Sequence, residues 1–208
     1  RCQASAAGNG CGPATSTSAS LIVSADPSIT AQSMSNGTIC VGGTSTASVT
    51  VSGGSGSNYQ WQYSTSLAGT YTNVVNATPA GSTYGTPTAA STSIAGITAA
   101  GTYYYRCLVG GNNGCDAQVS TPVSLTVVAD PGSSTPAFSN GTICVGGTSN
   151  VSVTASAGTG TYTYQWQYST SLAGTYANVA NATPAGSTYT NATSATMTIA
   201  GISAAAAN

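Results

Sequence analysis

Thirteen residues, YQWQYSTSLAGTY, run from 59 to 71 and recur unchanged from 164 to 176, and they contain the chain's two tryptophans, Trp61 and Trp166. Alternation with a period of two puts Tyr59, Trp61 and Tyr63 on one face of a strand and Gln60 and Gln62 on the other. An aromatic stripe of this kind, centred on a tryptophan, belongs in the core of a β-sandwich. Trp61 and Trp166 are therefore read as core residues, and the rest of the chain is placed by counting from them.

Other segments recur with the same spacing. SNGTICVGGTS at 35–45 returns at 139–149, Arg1-Cys2 returns as Arg106-Cys107, and LIVSADP at 21–27 is echoed by LTVVADP at 125–131. The period is 105 for the tryptophans and 104 for Cys40 and Cys144, the length of one sandwich domain. The expected organisation is a tandem array. Residues 1–25 are the closing hairpin of a preceding unit, 26–129 are a complete unit, and 130–208 are a unit that stops after its fifth main strand. Within the complete unit, strands are expected at 45–52, with Ala47, Val49 and Val51 inward, around Trp61, at 71–75, at 91–97 with Ile94 in the core, at 102–109 and at 119–128. A Pro- and Gly-rich loop is expected between 75 and 91.

Composition narrows the function. Arg1 and Arg106 stand against Asp26, Asp116 and Asp130, with no His. Phosphate recognition needs a basic face, so nucleic acid is excluded as a partner. Ser and Thr are abundant, but no His or Lys is present to activate them, so the chain is not expected to be an enzyme or to hold a cofactor. Thr and Val in short alternating runs broken by Gly clusters read as all-β. No apolar run approaches the roughly 20 residues that span a bilayer, so no membrane insertion is expected. The sequence opens without Met or a signal segment, which points to a piece of a longer chain. Six cysteines in such a chain suggest an oxidising compartment. Their spacing does not match a zinc site, and there is no His to complete one.

CVGG followed by alternating small and apolar residues, then YQWQYS, GTYYYRC, NNGC and a closing VSLTV run, resembles the immunoglobulin-like repeats of giant bacterial surface proteins. Such proteins are typical of gliding and predatory bacteria that export through the type IX secretion system. The resemblance covers essentially the whole chain. It implies tandem immunoglobulin-like β-sandwiches and an extracellular, cell-surface-attached location. Tyr105, Arg106 and Cys107 match the Tyr-x-Cys of strand F, with Tyr105 in the core. At the position of the usual strand B cysteine stands Val51, so Cys107 has a different partner or none.

Two pairings stay open for the cysteines. Cys107 and Cys115 flank a turn as CLVGGNNGC, and Cys2 and Cys11 do so as CQASAAGNGC, so each pair is a candidate hairpin disulfide. The alternative, Cys40 with Cys115, is implied by relatives that lack a cysteine at the Cys107 position. Either leaves an odd thiol per unit, which suggests an inter-repeat or interchain link, and Cys40 and Cys144 are the candidates for it.

Asp26 and Asp130 lie in the ADP links, where some adhesins bind calcium. One carboxylate per link is too few for six to eight oxygen ligands, so a turn-forming role is expected instead. Asn36, Asn76, Asn140, Asn150, Asn181 and Asn191 begin N-x-[ST] triplets, which a chain this rich in Asn, Ser and Thr generates by composition. Arg106 is expected at a solvated outward position. The expected function is a structural segment of a long extracellular filament or surface adhesin whose partners are other copies of itself. A glycan- or surface-binding module using Tyr71, Tyr84 or Tyr104 is the alternative. The ends are also complementary: Asn208 aligns with Tyr103 and Arg1 with Arg106. Residues 1–25 of a following copy are thus expected to complete residues 130–208, through a continuous polypeptide in preference to strand donation between separate subunits.

Overall fold

The computed structural model describes residues 1–54, 56–112 and 114–203, and Asn208, invoked above, lies outside them. Every element is a strand, and among the described residues no helix is long and apolar enough to cross a membrane. A short hairpin comes first, β1 (Gln3–Ala4) and β2 (Ala14–Thr15). Ten strands follow: β3 (Ser28–Met34), β4 (Thr38–Cys40), β5 (Thr44–Ser52), β6 (Ser57–Ser64), β7 (Thr72–Asn73), β8 (Thr83–Gly85), β9 (Ser91–Ala95), β10 (Gly101–Gly111), β11 (Gln118–Val119) and β12 (Val123–Val128). They form two sheets, one in the order β3-β5-β9-β8, the other β4-β12-β10-β6-β7 with β11 also on β10. All pairs are antiparallel except β4 with β12. The chain reaches that parallel edge by crossing from β3 in one sheet to β4 in the other.

Alternation along the strands builds the core between the sheets. On β5, Ser45, Ala47 and Val49 are buried, and on β10 Tyr103, Tyr105, Cys107 and Val109 are buried. Trp61, Ile94, Ile97, Leu125 and Val127 fill the rest of the layer. Several expected bounds shift for physical reasons. The loop expected between 75 and 91 contains β8, which pairs with β9 at Tyr84 and Ile94. The strand expected at 119–128 is divided into β11 and β12, because Pro122 has no N–H to give the ladder. Val51 is half-buried, at the end of β5 where the sheets open. At 71–75 the strand is reduced to β7, while Val74 beside it is buried and Val75 bridges Thr78.

Gly81 and Gly96 show why glycine is needed at one crossing. Both have positive φ, 79° and 77°, and a Cβ on either would fall 2.4 Å or 2.7 Å from the other's carbonyl oxygen. Gly186 and Gly201 make the same crossing further along, at 2.5 Å and 2.7 Å.

The remaining strands are β13 (Gly132–Ser133), β14 (Ala137–Phe138), β15 (Thr148–Ser152), β16 (Ala155–Ser156), β17 (Gln167–Tyr168), β18 (Ala177–Asn178), β19 (Thr188–Thr190) and β20 (Thr196–Ala200). The sheet β14-β15-β20-β19 repeats the order of β3-β5-β9-β8, with Val151 and Met197 buried. The pair β13 with β16 continues the β14–β15 pairing, as Ser28 with Ser52 and Ile29 with Val51 do in the first sandwich. The facing layer is reduced to β17 with β18, and no described strand lies where β10 and β12 lie in the first sandwich. Trp166 is consequently half-buried and lines an open cleft with Ser133, Val153, Thr163, Tyr164 and Gln165. Trp166, expected in the core, is thus only partly covered by the described strands. Trp61 is fully covered because β10 pairs with β6 and sets Cys107 opposite it.

The first hairpin keeps the register of the β10–β11 pair. Gln3 pairs with Thr15 and Ala4 with Ala14, as Leu108 pairs with Val119 and Val109 with Gln118. Ser16 donates its N–H to Cys2 O at 2.8 Å, as Ser120 does to Cys107 O at 2.9 Å. Beyond that hairpin Leu21, Ile22 and Val23 are 85–90% exposed, whereas Leu125 and Val127, the counterparts of Leu21 and Val23, are fully buried.

Candidate functional site

Three features of the first sandwich carry its chemistry: the aromatic layer around Trp61, and the two ends, or poles, where it meets neighbouring chain. In the layer, Trp61 donates its indole N–H to Ala89 O at 2.9 Å. Trp166 makes the same bond to Ser194 O at 2.8 Å. Tyr105 is buried beside Tyr63 and Tyr84, each 6.3 Å away between ring centroids, and its hydroxyl shares a 3.3 Å hydrogen bond with that of Tyr84. Burial raises the Tyr105 hydroxyl far above the ordinary tyrosine range. The same burial pushes the Cys107 thiol up to about 11. Cys107 is thus a small apolar wedge rather than a nucleophile.

The tyrosines considered for ligand binding do not form an open platform. Tyr71 lies under the Arg106 guanidinium, 4.2 Å from its ring centroid. Arg106 also donates from Nε to Gln62 Oε1 at 3.0 Å. It is half-buried, which corrects the expectation of a purely solvated position. Tyr84 donates its hydroxyl to Thr78 O at 3.2 Å, and Tyr104 is half-buried on β10.

Gly53, Gly54 and Gly56, with residues 110–112 and 114–116, gather at the leading pole, around the link Ala25-Asp26-Pro27. Gly54 N–H donates to Ala25 O at 2.8 Å, and Asp116 N–H donates to Asp26 Oδ1 at 3.0 Å. Asp26 thereby pins the β10–β11 loop to the incoming chain, a role sharper than the turn preference read from sequence. Asn58 Nδ2 donates to Asn112 Oδ1 at 2.8 Å across the same loops. Among the described residues no group of three or more His, Cys, Asp or Glu side chains is placed to hold a metal ion.

The cysteines fall into two kinds, and no disulfide is formed among the described residues. Cys107 faces Trp61 on one side. On the other side its N–H donates to Ser120 Oγ at 2.9 Å. Cys115 packs over Gly111, four positions along β10 and on the order of 13 Å away at about 3.3 Å per residue. The two are not opposed across the hairpin as the sequence suggested, and Cys2 and Cys11 follow the same register. Cys40 pairs in register with Val128, at the trailing pole, where Val127 meets Gly101. Gly101 and Gly111 are the two ends of β10, so Cys40 and Cys115 of one sandwich are roughly 30 Å apart. A disulfide needs a Cα separation of roughly 4.4–6.8 Å, so neither pairing read from the sequence matches this geometry. The Cys40 sulfur instead lies 3.7 Å from Thr159 Oγ1, across the link to the following strands. Cys144 is exposed at the corresponding place of the second set of strands.

With β3, β5, β9 and β8 as strands A, B, E and D and β4, β12, β10, β6 and β7 as A′, G, F, C and C′, the strand C tryptophan Trp61 packed on strand F defines an immunoglobulin-like sandwich. A family model described as a domain of unknown function, DUF8696, matches residues 29–129, which are the first sandwich from β3 to just past β12. No curated protein matches the chain. Among solved structures it is similar to a Dscam structure determined for isoform specificity, with 18% identity and a TM-score of 0.39 over 65% of this chain and 33% of that one. It is also similar to the N-terminal four immunoglobulin domains of Dscam1 isoform 6.9, at 10% identity and a TM-score of 0.38, covering 88% and 40%. A marsupial T cell receptor is a further match, at 11% identity and a TM-score of 0.36, covering 88% and 89%. The chain spans about a third to two fifths of the length of these Dscam chains.

Proposed function

We propose that this chain is a structural segment of a long extracellular filament or surface adhesin, in which immunoglobulin-like sandwiches follow one another and extend reach. The observation that carries this reading is that both links are held in the same way. Gly54 N–H bonds Ala25 O at 2.8 Å, and Gly158 N–H bonds Ala129 O at 2.9 Å. A Cβ on Gly54 would fall 3.3 Å from Pro27, and one on Gly158 2.7 Å from Pro131. Each sandwich therefore grips its incoming link identically, so length grows by addition without a new kind of contact. Other copies of the chain are the partners. The strands at 1–25, already in the β10–β11 register, are those that the cleft beside Trp166 leaves uncovered.

With a formal net charge of −1, parallel copies have little long-range repulsion to overcome. The buried, inert Cys107 and the absence of His fit a mechanical role better than a catalytic one. The resemblance to type IX-exported surface proteins supports a filament outside the cell and attached to its surface. A glycan- or surface-binding module is the second reading, but the hydrogen bonds that occupy Tyr71 and Tyr84 weigh against it. Electron microscopy of the native assembly, with immunogold labelling of intact cells, is the test. Beaded strings at the cell surface support the filament. A monodisperse protein that instead binds a soluble glycan saturably replaces it with the second reading.

A further inference from the structure

The three cysteines that recur with each period occupy three different environments. Cys107 is sealed in the core, Cys40 is at the trailing pole, and Cys115 is at the leading pole. We propose that where one sandwich follows another, Cys40 of the first is joined by a disulfide to the counterpart of Cys115 in the second. The inference rests on the tandem array of the preceding section.

The contact of Cys40 with Thr159 carries it. Thr159 lies in the loop 157–160, where Ala157, Gly158 and Gly160 have φ of 56°, 73° and 82°. The turn of Gly53, Gly54 and Gly56 in the first sandwich has matching positive φ, at 73°, 77° and 88°. There it is roofed by the β10–β11 loop. A Cβ on Gly56 would meet the Asn112 amide at 2.9 Å, and a Cβ on Gly111 would meet Cys115 Cβ at 2.4 Å and Pro27 Cδ at 3.3 Å. Gly54 rests on the same Pro27 ring, 3.3 Å from its Cβ. Cys115 is thus held beside the proline and the glycine turn of its own leading pole, and the Asp26–Asp116 bond fixes the loop there.

In the second set of strands Gly158 rests on Pro131 in the same manner, and Thr159, the next residue, touches the Cys40 sulfur. A β10–β11 loop seated on 157–160 as it is on 53–56 delivers its cysteine to that spot. The odd count of three thiols per period then resolves. Two form one bond at every junction, and the third is core. Formation joins the two sulfurs and releases two protons and two electrons to a protein or small-molecule disulfide of the oxidising compartment, which becomes a dithiol. The bond crosses the junction, the place where an array held only by short links hinges most easily.

The test is thiol mapping of the native assembled protein, alkylated without reductant, digested and analysed by mass spectrometry. The expected result is loss of alkylation at Cys40 and Cys144, recovery of the Cys40 peptide joined to one containing AGNGC (Cys11) and of the Cys144 peptide joined to one containing NNGC (Cys115), and alkylation of Cys107 only after unfolding. A Cys115→Ser variant separates the two topologies. Cys40 stays blocked if its partner is in the following sandwich, and its release places the bond inside one sandwich and overturns the proposal. Recovery of Cys107 joined to Cys115 overturns it as well. Beaded strings whose Cys40 alkylates freely overturn the disulfide and leave the array standing, whereas absence of strings removes the array itself.

Discussion

Trp61 and Trp166 have identical flanking residues and equivalent indole hydrogen bonds, so what separates them is the layer across the sheet. Trp61 is fully buried, and deleting a buried Trp side chain costs about 3–5 kcal/mol. Trp61→Ala is expected to lose that much in denaturant unfolding of the chain, and a loss under about 1 kcal/mol contradicts its place in the core. Trp166→Ala is expected to cost less, about 1–2 kcal/mol, because Trp166 is only partly covered. Cys107 gives a second residue-scale expectation. Burial raises its thiol to about 11 from the ordinary thiol value of 9.0. The unfolded chain ionises first as pH rises, so this stabilisation is complete below about 9 and is lost as pH passes through about 11. Thiol reagents are therefore expected to spare Cys107 at neutral pH and to label it in urea, and rapid labelling of the folded protein at neutral pH contradicts the buried placement.

At the scale of elements, the legible parts were those with a strong period. The alternation around Trp61, along β5 and along β10 was readable because each strand has one face in the core. β8 was not, since three residues in a Pro- and Gly-rich stretch carry no periodicity, and only pairing with β9 defines them. The cysteine positions were misread for a related reason. Spacing across a turn says how many residues separate two thiols, whereas register says which residues face each other, and the ladder sets Cys107 against Ser120. The role of Asp26 was equally hidden, because its partner Asp116 is supplied by a loop distant in sequence. Asp26→Ala is expected to cost about 1 kcal/mol through the lost hydrogen bond and to speed amide exchange at Asp116. Unchanged exchange there removes Asp26 from the clamp. The Gly81–Gly96 crossing is a stricter constraint. Gly96→Ala adds a methyl where φ is positive and a carbonyl oxygen is 2.7 Å away, and a loss of about 2 kcal/mol or more in thermal or denaturant unfolding is expected. Wild-type stability in that variant contradicts the close approach.

For the whole molecule, the proposed array makes the uncovered cleft and the exposed hairpin two halves of one arrangement. A sandwich without strands at the places of β10 and β12 leaves Trp166 lining an open cleft, and an open sheet edge is a template for further strands. Residues 1–25 carry a hairpin in the register of β10–β11 followed by Leu21, Ile22 and Val23 in water, a run whose counterparts Leu125 and Val127 are buried. If the hairpin of one copy occupies the cleft of another, association is driven by apolar burial and strand pairing, with almost no charge involved. Self-association of the 208-residue chain is then expected to change little between about 0.05 and 0.5 M salt, a range over which exposed ion pairs are increasingly screened. A Trp61→Phe variant leaves Trp166 as the sole indole and reports on its own surroundings. Its emission is expected to move to shorter wavelength as concentration rises and the cleft fills, and light scattering should show assemblies growing in step. Emission that stays fixed while assemblies grow places the contact elsewhere on the surface, and a chain that remains monomeric at every concentration excludes pairing between separate copies.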